Sequence, residues 1–234
     1  MATILQITKN VCKVIGLEQP SALYSSTARE YVELAELAND MGAELVDAYD
    51  WQTLKTLNTE TGDASTEDFD LPTDYKRMLK KAQVWSSSLE TPLTPITDTD
   101  EWLGLDVQSF DFVVNAWTIY ADQMHIKPAL DSAVTAQYYY ISENYAKDTD
   151  GSTTQAAFDA DTDTFRLDDR LLKLGMIFQW RKNKGLPYEG DEQKYEQMKE
   201  RIISADNGSR MLRIGKIRFP KDVHTAYPQS IEIP

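Results

Sequence analysis

The sequence is poor in the residues that most extracellular and catalytic chemistries require. Cys12 is the only cysteine, which rules out an intrachain disulfide and a thiolate metal cluster and makes a reducing compartment the natural place of folding. The two histidines, His125 and His224, stand in unrelated contexts, so a Ser–His or Cys–His pair would have to be assembled from distant segments. No apolar run approaches the roughly 20 residues that span a bilayer. The start, Met1 to Asn10, lacks the basic segment and apolar core of a signal peptide. Phosphate-cradling GxxxxGK[ST] and GxGxxG loops and the HExxH zinc motif are missing too. These absences predict a soluble protein made in the cytoplasm, with no cofactor and no metal.

Positive charge is also scarce. The chain has 24 Lys and Arg against 38 Asp and Glu, a formal net charge of −14, a balance that disfavours broad attraction to phosphates. What the sequence does have is apolar mass: 41% hydrophobic residues and five Trp in 234 residues, enough for one large domain with a real core.

Periodicity divides the chain. Ile4, Leu5, Ile7, Val11, Val14 and Ile15 predict a short amphipathic helix over 3–16, stopped by Gly16 and Pro20. A longer helix is predicted from Ser25 or Ser26 to about Asp50, with a stripe through Leu34, Leu37, Ala38, Met41, Leu45 and Val46. Its other face carries Glu33, Glu36, Asp40, Glu44 and Asp47, read as a solvated face. Trp51–Leu57 alternates as a strand and Asp68–Pro72 returns as a second; a short helix is expected over Asp74–Trp85 and helical turns over Asp98–Asp106. Three β-favouring runs, Phe112–Tyr120, Met124–Pro128 and Thr135–Ser142, predict an antiparallel meander in which Tyr138, Tyr139 and Tyr140 are core or interface before they are a stacking platform for bases. A helical hairpin closes the pattern: Leu171–Lys184, capped by Asp168 or Asp169 and stopped by Gly185, then Asp191–Ala205. Trp180 is expected to be largely buried on the face it shares with Met176, Ile177 and Leu172.

Beyond Asn207-Gly208 the composition inverts. Arg210, Arg213, Lys216, Arg218 and Lys221 appear with no acid among them, alternating imperfectly with Leu212, Ile214, Ile217 and Phe219. An extended basic arm over 209–234 is the expectation, with Arg210, Arg213, Lys216, Arg218 and Phe219 as partner-binding residues that order on docking to an acidic neighbour. One further motif invites a metal: Asp159-Ala-Asp161-Thr-Asp163 copies the first ligand positions of a calcium loop. Thr164 and Arg170 stand where such a loop needs Gly and a bidentate Glu, so it reads as a solvated turn.

The ordered set of segments resembles the head–tail adaptor (head-completion, tail tubular protein A or gatekeeper) proteins of short-tailed phages. It comprises Asp50-Trp51, Phe69-Asp70-Leu71-Pro72-Thr73-Asp74-Tyr75-Lys76-Arg77, Glu101-Trp102, Ile126-Lys127-Pro128-Ala129, Ala136 to Ser142, Phe158 to Asp163, Gly175 to Arg181 and Lys184-Gly185. The resemblance covers about residues 1–205. It implies a twelve-subunit ring beneath the portal, bound to portal protein above and a tail or nozzle protein below. Genomic DNA would pass through without specific binding, and the protein would sit at the virion neck with no catalytic residues. The predicted fold class is mainly α (α+β), a helical bundle with a small antiparallel β region. Its adaptor domain spans 1–208, with β insertions around 51–72 and 110–142, followed by the C-terminal arm. Two other readings stay open at this point: a carboxylate-dependent peptidoglycan hydrolase of the virion and a nucleic-acid-binding protein using the basic tail.

Overall fold

The structure, a computed structural model, describes residues 1–80, 82–88, 91–107 and 115–206. The basic arm, with Arg210, Arg213, Lys216, Arg218 and Phe219, lies outside the described residues, as do His224 and the first part of the expected 112–120 strand.

Four helices form one body: α1 (Ile4–Ile15), α2 (Arg29–Ala48), α4 (Asp169–Asn183) and α5 (Glu189–Asp206). Each end has a local cause. The Thr3 hydroxyl accepts the Gln6 N–H at the start of α1, and Gly16 closes it at φ +81°, a left-handed value that suits glycine. Asp168 Oδ1 accepts the N–H groups of Arg170 and Leu171, both at 2.9 Å, at the start of α4. Helix α4 is the hub, touching α1, α2 and α5. Leu171, Leu172, Met176, Ile177 and Phe178 are buried there against Ile4, Val11, Leu34, Met41 and Tyr195.

A small sheet, β10 (Thr154–Gln155), β9 (Ala146–Lys147) and β11 (Thr164–Phe165), packs into the same core, with Tyr145, Phe158 and Phe165 ring against ring at 5.3–6.2 Å.

The second region is built of strands. One sheet sets β8 (Thr135–Ser142) between β1 (Lys55–Thr61) and β3 (Tyr75–Met78), with β4 (Trp85–Ser86) also paired to β8. The other runs β2 (Asp68–Asp70), β7 (Gln123–Lys127), β6 (Ala116–Tyr120), β5 (Thr94–Pro95), and β5 joins parallel. The two share a core of Phe69, Val84, Leu93, Trp117, Met124, Ile126, Tyr138 and Tyr140. Helix α3 (Thr99–Val107) lies in this part of the chain, and Trp102 packs with Ile96 and Ala116.

Several expectations are corrected here. The described residues hold five helices and three sheets, with 39% helix and 23% strand; this is an α+β fold, not a helical bundle with a small β region. Most strands are two to five residues long, too short for alternation to show, and their partners are remote in sequence: Leu57 pairs with Tyr139. The expected helix over Asp74–Trp85 is instead a turn closed by Tyr75 N–H to Pro72 O at 2.9 Å, then β3 and a loop to β4. The pull of a sheet edge outweighs a weak helical tendency over so short a stretch. The expected meander is cut in two, because β6 and β7 pair but Thr135–Ser142 crosses to the other sheet. Trp180 packs against the helical core at its margin, with intermediate exposure and Lys184 Nζ over the ring at 5.8 Å, while Leu172, Met176 and Ile177 are buried deeper.

Candidate functional site

Among the described residues, the buried ionisable groups Asp163, His125 and Cys12 are bound into the fold. Asp163 is fully buried. Its Oδ2 accepts the N–H groups of Asp159 and Ala160 at 2.8 and 3.0 Å and the Gln155 Nε2 at 2.8 Å. Burial lifts its carboxyl above the ordinary range, against the lowering pull of those backbone bonds. Asp161 Oδ1 accepts from the N–H groups of Leu23 and Tyr24, both at 2.9 Å, while the carbonyls of Asp163 and Asp161 receive the N–H groups of Ile4 and Leu5. Asp159 stays exposed, but Asp161 and Asp163 are not simply solvated. The turn is a clamp: its carbonyls satisfy two donors at the first turn of α1, and its carboxylates hold the 23–24 backbone and the turn itself. Among the described residues no group of three or more His, Cys, Asp or Glu is arranged to hold a metal ion.

His125 is buried in β7 with both ring nitrogens facing acceptors of its own sheet: Asp68 Oδ1 at 2.6 Å and the Tyr120 carbonyl at 3.3 Å. Tyr120 stacks on it at 3.7 Å. Cys12 is buried, and burial pushes its thiol up, away from the reactive thiolate. Glu60, the other carboxyl that burial lifts, is on β1, bonded by Asn58 Nδ2 and facing the Tyr138 hydroxyl, while Asp163 lies in the turn before β11.

Charge ties the two regions together. The Arg77 guanidinium of β3 meets the Asp50 carboxylate just past α2 and donates to the Val46 and Tyr49 carbonyls at 3.2 and 3.1 Å, capping that helix end. Burial pushes the Asp50 carboxyl up, but Arg77 and the Lys80 N–H outweigh it and hold it below its usual value. Arg166 donates to the carbonyls of Asn144 and Thr53, joining β11 to the start of β1.

Two grooves stand out on the described surface. Along β8 one face, Tyr138 and Tyr140, enters the strand core. On the other face Ile141 enters the helical core, while Tyr139 and Gln137 emerge from beneath it. Leu57 stands opposite Tyr139 and Trp85 opposite Gln137. Leu57, Trp85 and Tyr139 are 48%, 38% and 55% exposed. The shallow groove they line with Leu79, Ala82 and Gln137 has no charged side chain among the described residues. An uncharged aromatic strip on a chain of net −14 has the composition of a protein interface core. A second groove, between α2 and the end of α4, is acidic: Glu33, Glu36 and Asp40 line it with Leu37 and Trp180, and Glu33 is paired with Arg29 and Lys184. The strip was missed in the sequence because Leu57, Trp85 and Tyr139 come from three separated segments; the alternation of Leu57 and Thr59 with Asn58 was the one local signal. Of the tyrosine run, only Tyr139 is exposed, which leaves no stack of rings for bases.

No curated protein matches the sequence. A family model described as "SU10 adaptor protein" matches residues 3–216, from the clamped first turn of α1 through both cores and past the end of α5. The chain belongs to that family of phage head–tail adaptors and is a structural protein of the virion neck.

Proposed function

We propose that the protein closes into a ring beneath the portal, extends the DNA channel toward the tail and docks a tail or nozzle component, working by binding alone. The observation that carries this reading is the family match across residues 3–216. The ring is proposed to have twelve copies, as the resemblance implies. The adaptor domain is residues 1–208. The arm, 209–234, meets its partner through Arg210, Arg213, Lys216, Arg218 and Phe219. The acidic face of α2, with Glu36, Asp40, Glu44 and Asp47 exposed, suits a wall along which DNA moves without sticking, because phosphate attachment depends on neutralising cations.

The test is assembly on its own portal. Isolated protein is expected to be monomeric or weakly associated, and a closed ring to form once portal aligns the head-to-tail contacts. Light scattering and electron microscopy read both states. Persistent monomer in the presence of portal overturns the reading.

A further inference from the structure

Helix α3 is apolar on two sides. Trp102 and Leu105 pack with Ile96 and Ala116 and fix the helix to the strand region. Leu103 and Val107, one turn apart, face the other way and are 57% and 74% exposed. Among the described helices, α3 alone exposes two large apolar side chains. Asp100, three residues before Leu103, continues the same ridge and is exposed, with no ion-pair partner among the described residues. A helix with one apolar face packed and a second left open is built to meet another surface.

The helical body carries the complement. The groove between α4 and α5 is floored by Leu174 and Met198 and rimmed by Arg170, Lys194, Gln197 and Arg201, with no acid lining it among the described residues. Lys194 is engaged by Asp191 Oδ1 at 3.2 Å, whereas Arg170 and Arg201 have no ion-pair partner among the described residues. A short connection makes α4 and α5 an antiparallel pair, so Arg170, in the first turn of α4, and Arg201, near the end of α5, mark one end of the groove. Spacing matches as well as chemistry. Asp100, Leu103 and Val107 stand three and seven positions along α3; Met198 and Lys194 stand three and seven positions back from Arg201 on α5. Each series rises roughly 10 Å. A single copy does not bring the two surfaces together: α3 is anchored in the strand region, the groove belongs to the helical body, and both stand open. The chain's own arm does not suit the groove either. Residues 207–234 carry Arg210, Arg213, Lys216, Arg218 and Lys221 against Asp222 and Glu232, a net-positive segment that Arg170 and Arg201 repel.

We propose that α3 of one copy lies in the α4–α5 groove of the next, antiparallel to α5, with Leu103 over Leu174 and Met198 and Asp100 against Arg170 and Arg201. This is the helix-in-groove mode of recognition, and it supplies the two different surfaces that a head-to-tail contact requires. It rests on the adaptor reading only in that copies sit side by side.

Full-length chains mixed in the presence of portal test it. A Leu103→Cys chain and a Gln197→Cys chain are combined under mild oxidation; Cys12 is buried and does not compete. A disulfide-linked dimer of the two variants is expected, and a Leu186→Cys chain, exposed but on the α4–α5 connection, gives the background. Asp100→Arg in the first chain, or Arg201→Glu in the second, should each cut the linkage roughly fivefold, and the two reversals together should restore it. All four residues are exposed, so each variant should melt within about 2 °C of wild type. Dimer at background level, as when portal or a tail protein covers either surface, overturns the proposal. So does a failure of the paired reversals to restore linkage, or efficient linkage within a single chain carrying both cysteines. Ring formation on portal is read on the same samples by electron microscopy. A ring without cross-linking leaves the adaptor reading standing and removes this one, and cross-linking without a ring does the reverse.

Discussion

The helical body and the strand region are held together by different means. In the body one helix, α4, buries five side chains against three neighbours, and each contact joins long elements with their own local order. In the strand region no element exceeds eight residues except α3, and the core closes only when segments some 80 positions apart pair, as Leu57 does with Tyr139. Such non-local pairing must meet the entropy of a long loop before it gains anything. The body should therefore be the more stable part, with the junction residues deciding whether the two unfold together.

The largest expected effect falls where the small sheet enters the body. Phe165 is fully buried against Tyr145 and Phe158, and Phe165→Ala should cost about 3–5 kcal/mol in denaturant melts. A loss below about 1 kcal/mol, the scale of a surface change, would show that this sheet is an appendage and not part of the body's core.

The acidic clamp comes next. Asp163→Ala strands two backbone donors and the Gln155 amide, at a cost of about 2–3 kcal/mol. The folded carboxyl is lifted by burial, so its contribution is fully present at low pH and is lost as pH rises through the lifted value. Asp163→Asn, which keeps an acceptor oxygen, should flatten that part of the stability–pH curve. An unchanged curve would mean the carboxyl is ionised at no cost.

At the junction, Arg77→Ala should cost about 2 kcal/mol, because Asp50 and two carbonyls at the end of α2 lose their partner together. Here the pH sign is opposite. The Asp50 value is depressed, so the stabilisation holds above the ordinary carboxylate range and is lost as pH falls through the folded value. Wild type and Arg77→Ala should therefore converge in acid. If the two regions are coupled, the variant melts in one lowered transition; two separated transitions would break the single-unit picture.

The smallest stability effect belongs to the strip. Tyr139→Ser and Leu57→Ser each remove exposed apolar surface and should change stability by less than about 0.5 kcal/mol. A loss above about 1 kcal/mol would show the strip to be part of the strand core.

Legibility followed element length and locality. The helices α1, α2, α4 and α5 were readable to within a few residues because caps such as Asp168 and stops such as Gly16 and Gly185 act on their own neighbours, and the 3.6-residue stripe repeats several times. The residues 74–85 were misread as helix because Tyr75–Met78 is strand only by virtue of Ser142 to Tyr140 beside it. The face of Trp180 was readable from spacing, which places it against the helical core, but spacing does not set the depth at which a neighbour covers that face. The Asp159–Asp163 clamp was legible as an acidic turn, yet its role depends on α1 and the 21–24 turn arriving from far upstream.

Composition and local pattern were sufficient for the helical hairpin, the basic arm's contrast with the acidic chain and the family to which the segments belong, because each is a property of neighbouring residues or of their order. The division of the described residues into three sheets, the crossing of β8 away from β7 and the uncharged strip around Tyr139 arise only when remote segments meet. Backbone pairing is chemically the same for every residue, so side-chain identity along one strand carries little information about which distant strand will complete it.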